Sequence, residues 1–154
     1  MKKVDVHFLN IEENRNYSTQ IAKIIKECFK QEKFLDKNLY VNVILTTPED
    51  IRKFNKEYRN IDKETDVLSF PMFEKEELEN MKLNHIEVLG DIVISIEQVK
   101  KQAIEYEHSF EREFAYMVVH GFCHIIGYDH IEEEDKKKMR QEEKKILGIL
   151  KILD

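Results

Sequence analysis

Val4, Val6 and Phe8 alternate with polar residues, as in a strand with one face buried. The spacing then becomes helical over residues 17–33, where Ile21, Ile24, Ile25, Cys28 and Phe29 fall on one side. Residues 40–47 are rich in β-branched side chains and predict a second strand. Thr46 or Thr47 ahead of Pro48 and Glu49 has the chemistry of a helix start: a capping hydroxyl, proline in the first turn and an early acid. That helix is expected to run to about residue 58. A short strand over 67–70 is stopped by Pro71, and a longer apolar stretch over 88–95 suits an inner strand. Between them, residues 74–84 form a charged insertion, either a mobile surface loop or a short helix. Three helices close the chain, over 96–106, 110–126 and 132–147. The last begins with four acids and continues into three lysines, the order that complements a helix dipole.

This order of elements predicts an α+β fold: a mixed sheet of about four strands packed with helices, with a zincin-like metal helix near the C-terminus. At 154 residues the chain is expected to form a single domain, 1–154, and strand order is not readable from the pattern. A composition of 42% hydrophobic residues with only four glycines and two prolines fits a packed core rather than disorder. An aspartate and a histidine interrupt the apolar run at the N-terminus, and no stretch approaches the roughly 20 apolar residues of a membrane span. The expectation is a cytoplasmic protein with no membrane partner, in which Cys28 and Cys123 are small buried residues rather than a disulfide framework. The net charge of −6 argues against coating nucleic acid through overall positive charge, so local patches must do any such work. Lys23, Lys26, Lys30 and Lys33 share one helix face; they are either a stripe that tracks an RNA backbone or, more commonly for such stripes, the solvated side of an amphipathic helix.

The stretch with most chemistry is His120-Gly121-Phe122-Cys123-His124-Ile125-Ile126-Gly127-Tyr128-Asp129-His130. His120 and His124, four residues apart on a helix, project from one face about a turn apart, as two ligands of one metal must. Gly127 falls where the helix would stop, because glycine adopts the left-handed conformation without steric cost. The reversal lets His130 return towards the first two rings, whereas a continuous helix would carry it about 9 Å further along the axis. Three neutral imidazoles with an open fourth position describe a catalytic rather than a structural zinc site, in which a coordinated water would have a pKa of about 7. Cys123 lies beside His124 and points poorly for joining the pair, so burial is the better reading for it. Glu113, seven residues before His120, can orient a ligand or serve as an ion-pair or packing residue. His7, His85 and His108 have no comparable spacing and receive no role. The pattern H-x3-H-x5-H resembles that of the metzincin proteases, but their general-base glutamate is replaced here by Gly121, which disfavours that route to peptide hydrolysis.

The same stretch resembles the YbeY family of bacterial endoribonucleases, whose pattern His-Gly-x-Leu-His-Leu-x-Gly-Tyr-Asp-His is matched at His120, Gly121, His124, Gly127, Tyr128, Asp129 and His130. Cys123 and Ile125 stand where leucine is usual. Asn55, Tyr58, Arg59 and Asp62 followed by residues 65–71, and then residues 89–95, are similar to further signatures of that family. The resemblance implies a single-strand-specific metallo-endoribonuclease acting in ribosomal RNA maturation (16S rRNA processing) and ribosome quality control. It implies one Zn2+ ion held by His120, His124 and His130, an arginine important for activity at Arg59, and RNA and the small ribosomal subunit as partners. A guanidinium suits the task because its planar paired donors match phosphate oxygens. Asp66 and Asp91 sit near strand ends, where turn capping explains them as well as catalysis does. The expected chemistry is phosphodiester cleavage driven at the zinc, with Arg59 holding the RNA backbone. Two rival readings stay open: a metal-dependent hydrolase of a peptide or another phosphoester, and a non-enzymatic ribosome-associated zinc protein. Oligomeric state is not legible.

Overall fold

A computed structural model describes residues 2–81, 85–128 and 131–152. Its elements, in chain order, are β1 (Val4–Phe8), α1 (Arg15–Gln31), β2 (Leu39–Thr46), α2 (Pro48–Arg59), β3 (Val67–Pro71), α3 (Lys75–Glu79), β4 (Glu87–Ser95), α4 (Ile96–Glu105), α5 (Phe110–Ile125) and α6 (Glu133–Ile149). The expected α+β class with a four-stranded mixed sheet is what the chain adopts, in the order β1-β2-β4-β3. β1, β2 and β4 are parallel and β3 runs antiparallel to β4 at one edge. The chain therefore passes from β2 to the far edge before β4 fills the inner position. Pro71 ends the edge strand β3, a place where a missing N–H is tolerated.

Alternation along the strands sends side chains to two faces. Val41, Val43 and Leu45 from β2 and Ile92 and Ile94 from β4 enter the main core, which α1 and α5 cover. Ile44, Val93 and Leu68 point to the other face, where Ile51 and Phe54 of α2 meet them in a smaller cluster. Helix α5 is central: it packs on β3 and β4 and touches α1, α4 and α6. Its Phe122 ring lies 5.3 Å from that of Phe29 in α1, and Phe114 lies 5.4 Å from Tyr17. Truncating a buried ring such as Phe122 to alanine costs roughly 3–5 kcal/mol.

Local chemistry sets the boundaries. Thr47 is the cap of α2, its hydroxyl accepting from the Asp50 amide at 3.2 Å. Asn14 caps α1 and moves its start two residues ahead of the expected 17. Ser95 and Ser109 cap α4 and α5. The charged insertion forms the short helix α3 in part, and residues 82–84 of it lie outside the described residues. Cys28 and Cys123 are both buried and unbridged. No helix among the described residues is long and apolar enough to cross a membrane.

Candidate metal and RNA site

α5 carries His120 and His124 on one face near its C-terminal end, and their ring centroids are 4.6 Å apart with planes at 88°. The helix stops where glycine allows it. Gly127 has φ +103°, its amide donates to the His124 carbonyl at 3.2 Å, and the Tyr128 amide donates to that of Cys123 at 3.0 Å. His130, the third expected ligand, lies outside the described residues, as does Asp129. Among the described residues no three His, Cys, Asp or Glu side chains converge as a cation set.

The His120 ring is held on two sides. Its Nδ1 lies 2.7 Å from Oε2 of Glu143, a buried carboxylate from α6, and the Tyr116 ring stacks on it at 5.4 Å. An Nδ1–H that donates to this carboxylate puts the ring's lone pair on Nε2, the form of imidazole that ligates a cation. The surroundings are anionic as well as buried. Burial first, then Glu143, Glu113 and Asp66, push the Tyr116 phenol up to about 12. Edge-on imidazoles, a buried carboxylate on one of them and an acidic neighbourhood make a donor set that fits a divalent cation.

The sequence offers Glu113 for this contact, whereas in the structure Glu143 makes it. Glu113 is buried but bonds His108 at 3.2 Å instead. The signal for Glu143 was present: it lies between Met139 and Ile146 on the buried face of α6, a charged residue in an apolar position. Cys123 is fully buried and its thiol is pushed up, chiefly by burial, which fits packing rather than ligation.

At Gly121, α5 lies tightly against β4 of the sheet. A Cβ built there would lie 2.8 Å from Cγ2 of Ile92, so the glutamate that follows the first histidine in metzincins has no room. The Gly121 carbonyl accepts from the Ser69 hydroxyl of β3 at 3.2 Å. Arg59, the last residue of α2, donates from Nη2 to the Ser69 carbonyl, and its guanidinium lies 5.3 Å over the Phe70 ring. Strand β3 thus ties the exposed arginine to the histidine helix through one residue.

The other residues singled out have structural partners. Asn55 is buried and donates to the Lys63 carbonyl at 3.0 Å, pinning the loop after Arg59. Asp62 pairs with Arg52 at 2.7 Å on the surface. Asp66 accepts from the Val67 amide at 2.7 Å and from Gln102 at 3.1 Å, a cap at the start of β3. Asp91 accepts from Asn42 at 3.0 Å, and Asn42 bonds His7 at 3.1 Å. Lys23, Lys26 and Lys30 are exposed on α1, which packs beside β1, the sheet edge opposite β3 and Arg59, whereas the helix ends before the expected 33 and Lys33 is exposed beyond it at φ +63°. Their position favours the solvated-face reading.

The family model described as "Endoribonuclease YbeY" matches residues 5–151. A relative of that name from Fusobacterium nucleatum is 48% identical over 132 residues, covering 85% of this chain and 80% of its own. Another, from Clostridium botulinum, is 40% identical and covers 97% of each chain. The solution structure of a Thermotoga maritima protein superposes with a TM-score of 0.60 at 26% identity, over 96% of this chain and 92% of that one. The histidine helix, Arg59 at the end of α2 and the strand β3 that joins them sit inside the matched span, and the chain belongs to the endoribonuclease YbeY family.

Proposed function

We propose that the chain is a single-strand-specific, metal-dependent endoribonuclease, one domain over 1–154, that acts in the cytoplasm in ribosomal RNA maturation, 16S rRNA processing and ribosome quality control. The small ribosomal subunit is its partner. His120, His124 and His130 hold one Zn2+ ion. The observation that carries this reading is the His120 and His124 ring pair, 4.6 Å apart, beside the buried carboxylate of Glu143. The activity named for the relatives supports the choice of RNA as substrate.

When bound, the ion supplies Lewis acidity at a phosphate oxygen and acidifies a water. Glu143 keeps the His120 proton on Nδ1 and the ring at a fixed angle, and positions it for the task. Arg59 binds and orients the scissile phosphate. One of its N–H groups is spent on the Ser69 carbonyl, which fixes the plane over Phe70, and the exposed remainder of the fork meets phosphate oxygens and offsets charge as the phosphodiester breaks. Because Ser69 also holds the Gly121 carbonyl, the arginine and the histidines keep a constant relation. A peptidase reading lacks its base, since Gly121 has no space for a side chain.

The test is cleavage of an RNA with single-stranded segments by purified protein. Loss of cleavage in His124→Ala and on chelation, and a fall on the order of 10²–10³ in kcat for Arg59→Ala, are the expected results. Undiminished cleavage by His124→Ala or by metal-free protein would overturn the reading.

A further inference from the structure

On the sheet face opposite the histidine helix, α2 leaves a cleft of about 370 Å³ between itself and the strands, near the lower end of the roughly 300–1,000 Å³ usual for small-molecule sites. Its walls are aromatic. Phe54 stacks on Tyr58 with centroids 6.3 Å apart, and Tyr58 meets Phe70 edge-on at 5.6 Å. Tyr58 is 61% exposed and Met72 52%, an unusual state for two large side chains on one cleft. Ile44 and Val93 form the apolar floor, and among the described residues the one charged group lining it is the carboxylate of Asp91. That carboxylate is oriented by a cross-strand relay: His7 bonds the Asn42 side-chain oxygen and the Asn42 amide donates to Asp91 Oδ1.

The cleft adjoins the proposed phosphate contact, because the Arg59 guanidinium lies over the same Phe70 ring that Tyr58 touches. A planar apolar slot with an exposed aromatic rim beside an arginine suits a nucleobase next to its phosphate. A carboxylate repels phosphate and attracts N–H groups, so Asp91 sorts the occupant further. Adjacent N–H donors on one edge, as on guanine, match the two oxygens of a carboxylate.

We infer that this cleft is a nucleobase subsite for the single-stranded RNA, with Tyr58 as the stacking platform, Arg59 on the adjoining phosphate and Asp91 selecting a guanine. The inference rests on RNA being the substrate, as proposed above. Tyr58 and Asp91 act on binding and base choice and take no part in the bond-breaking step.

The probes are fluorescein-labelled single-stranded oligonucleotides that differ at a single position, guanosine or inosine, which lacks the 2-amino group. Binding is read by anisotropy on metal-free protein, and cleavage is read separately on the zinc-loaded enzyme. Wild type is expected to bind the guanosine oligonucleotide several-fold more tightly than the inosine one. Tyr58→Ala should weaken both on the order of tenfold, raising KM while kcat stays within about twofold, and Tyr58→Phe should restore binding. Asp91→Asn should erase the guanosine preference. Circular dichroism melts of each variant show whether the fold is kept; Tyr58→Phe serves as the intact reference for the tyrosine and the inosine comparison on wild type needs no variant. Equal binding of the two oligonucleotides by wild type, or unchanged affinity in Tyr58→Ala, overturns the inference even if the enzyme cleaves RNA. Binding that depends on Tyr58 without any cleavage leaves the subsite standing and removes the catalytic reading instead.

Discussion

The Nδ1 of His120 lies 2.7 Å from Oε2 of Glu143, and the carboxylate is buried on the inner face of α6. The two are 23 positions apart in sequence. A buried carboxylate with an imidazole partner holds that ring in one tautomer and one orientation, which is what a ligand of a metal ion requires. Glu143→Gln keeps the shape and removes the charge. Zinc affinity, measured by competition with a chromophoric chelator, should fall by about 10–100-fold. Wild-type affinity in this variant would show that the contact only packs α6 against α5.

Gly127 stands at φ +103°, and a Cβ there would lie 3.2 Å from Cβ of Lys75. Gly127→Ala should therefore destabilise the protein by about 1–2 kcal/mol, the cost of a left-handed backbone for an L-residue. Urea denaturation checks this; an unchanged midpoint would mean that the chain leaves α5 by another turn at no cost.

Asp50 near the start of α2 has its carboxyl held below the usual range, first by the hydrogen bond from Asn10; burial opposes this as the next largest effect, and hydrogen bonds from Thr46 and Thr47 and the charge of Lys53 add to the lowering. A pKa depressed in the folded state gives stability that is present above the unfolded value, about 3.9, and is lost as the pH falls through the folded value. Asp50→Asn should thus be less stable than wild type near neutral pH, and the two melting curves should converge in acid below the usual carboxylate range. A gap that is constant with pH would assign the difference to packing rather than charge.

Cys28 and Cys123 are fully buried, and burial pushes both thiols well above their ordinary range. Thiolate is the reactive form, so neither should react with a disulfide reagent in the folded protein at neutral pH, and both should react in denaturant. Rapid labelling of native protein would contradict the buried placement.

The sequence revealed the parts of this site that depend on local spacing. A spacing of four positions from His120 to His124 requires adjacent rings on any helix, and Gly127 announces the stop because only backbone conformation decides it. The α+β class was legible for the same reason, since each element has its own period. Pairing was not: β4 inserts between β2 and β3 because Ile92 and Ile94 complete the main core there, a fact that depends on residues far apart in the chain. Glu143 stayed hidden because the run around it reads as a solvated charged face, although its interval from Met139 and Ile146 placed it inward. Tyr58 and Phe70 likewise gave no sign of sharing a cleft, because the contact between α2 and β3 depends on the fold of the loop that Asn55 pins.

The most direct test of the account is the zinc content of the purified protein after dialysis against buffer, by atomic emission, compared with His120→Ala, His124→Ala and His130→Ala. The account predicts one ion per chain in wild type and a large loss in each of the three variants, with the fold retained by circular dichroism. Full occupancy in all three variants, or a wild type that takes up no divalent ion on titration, would contradict it.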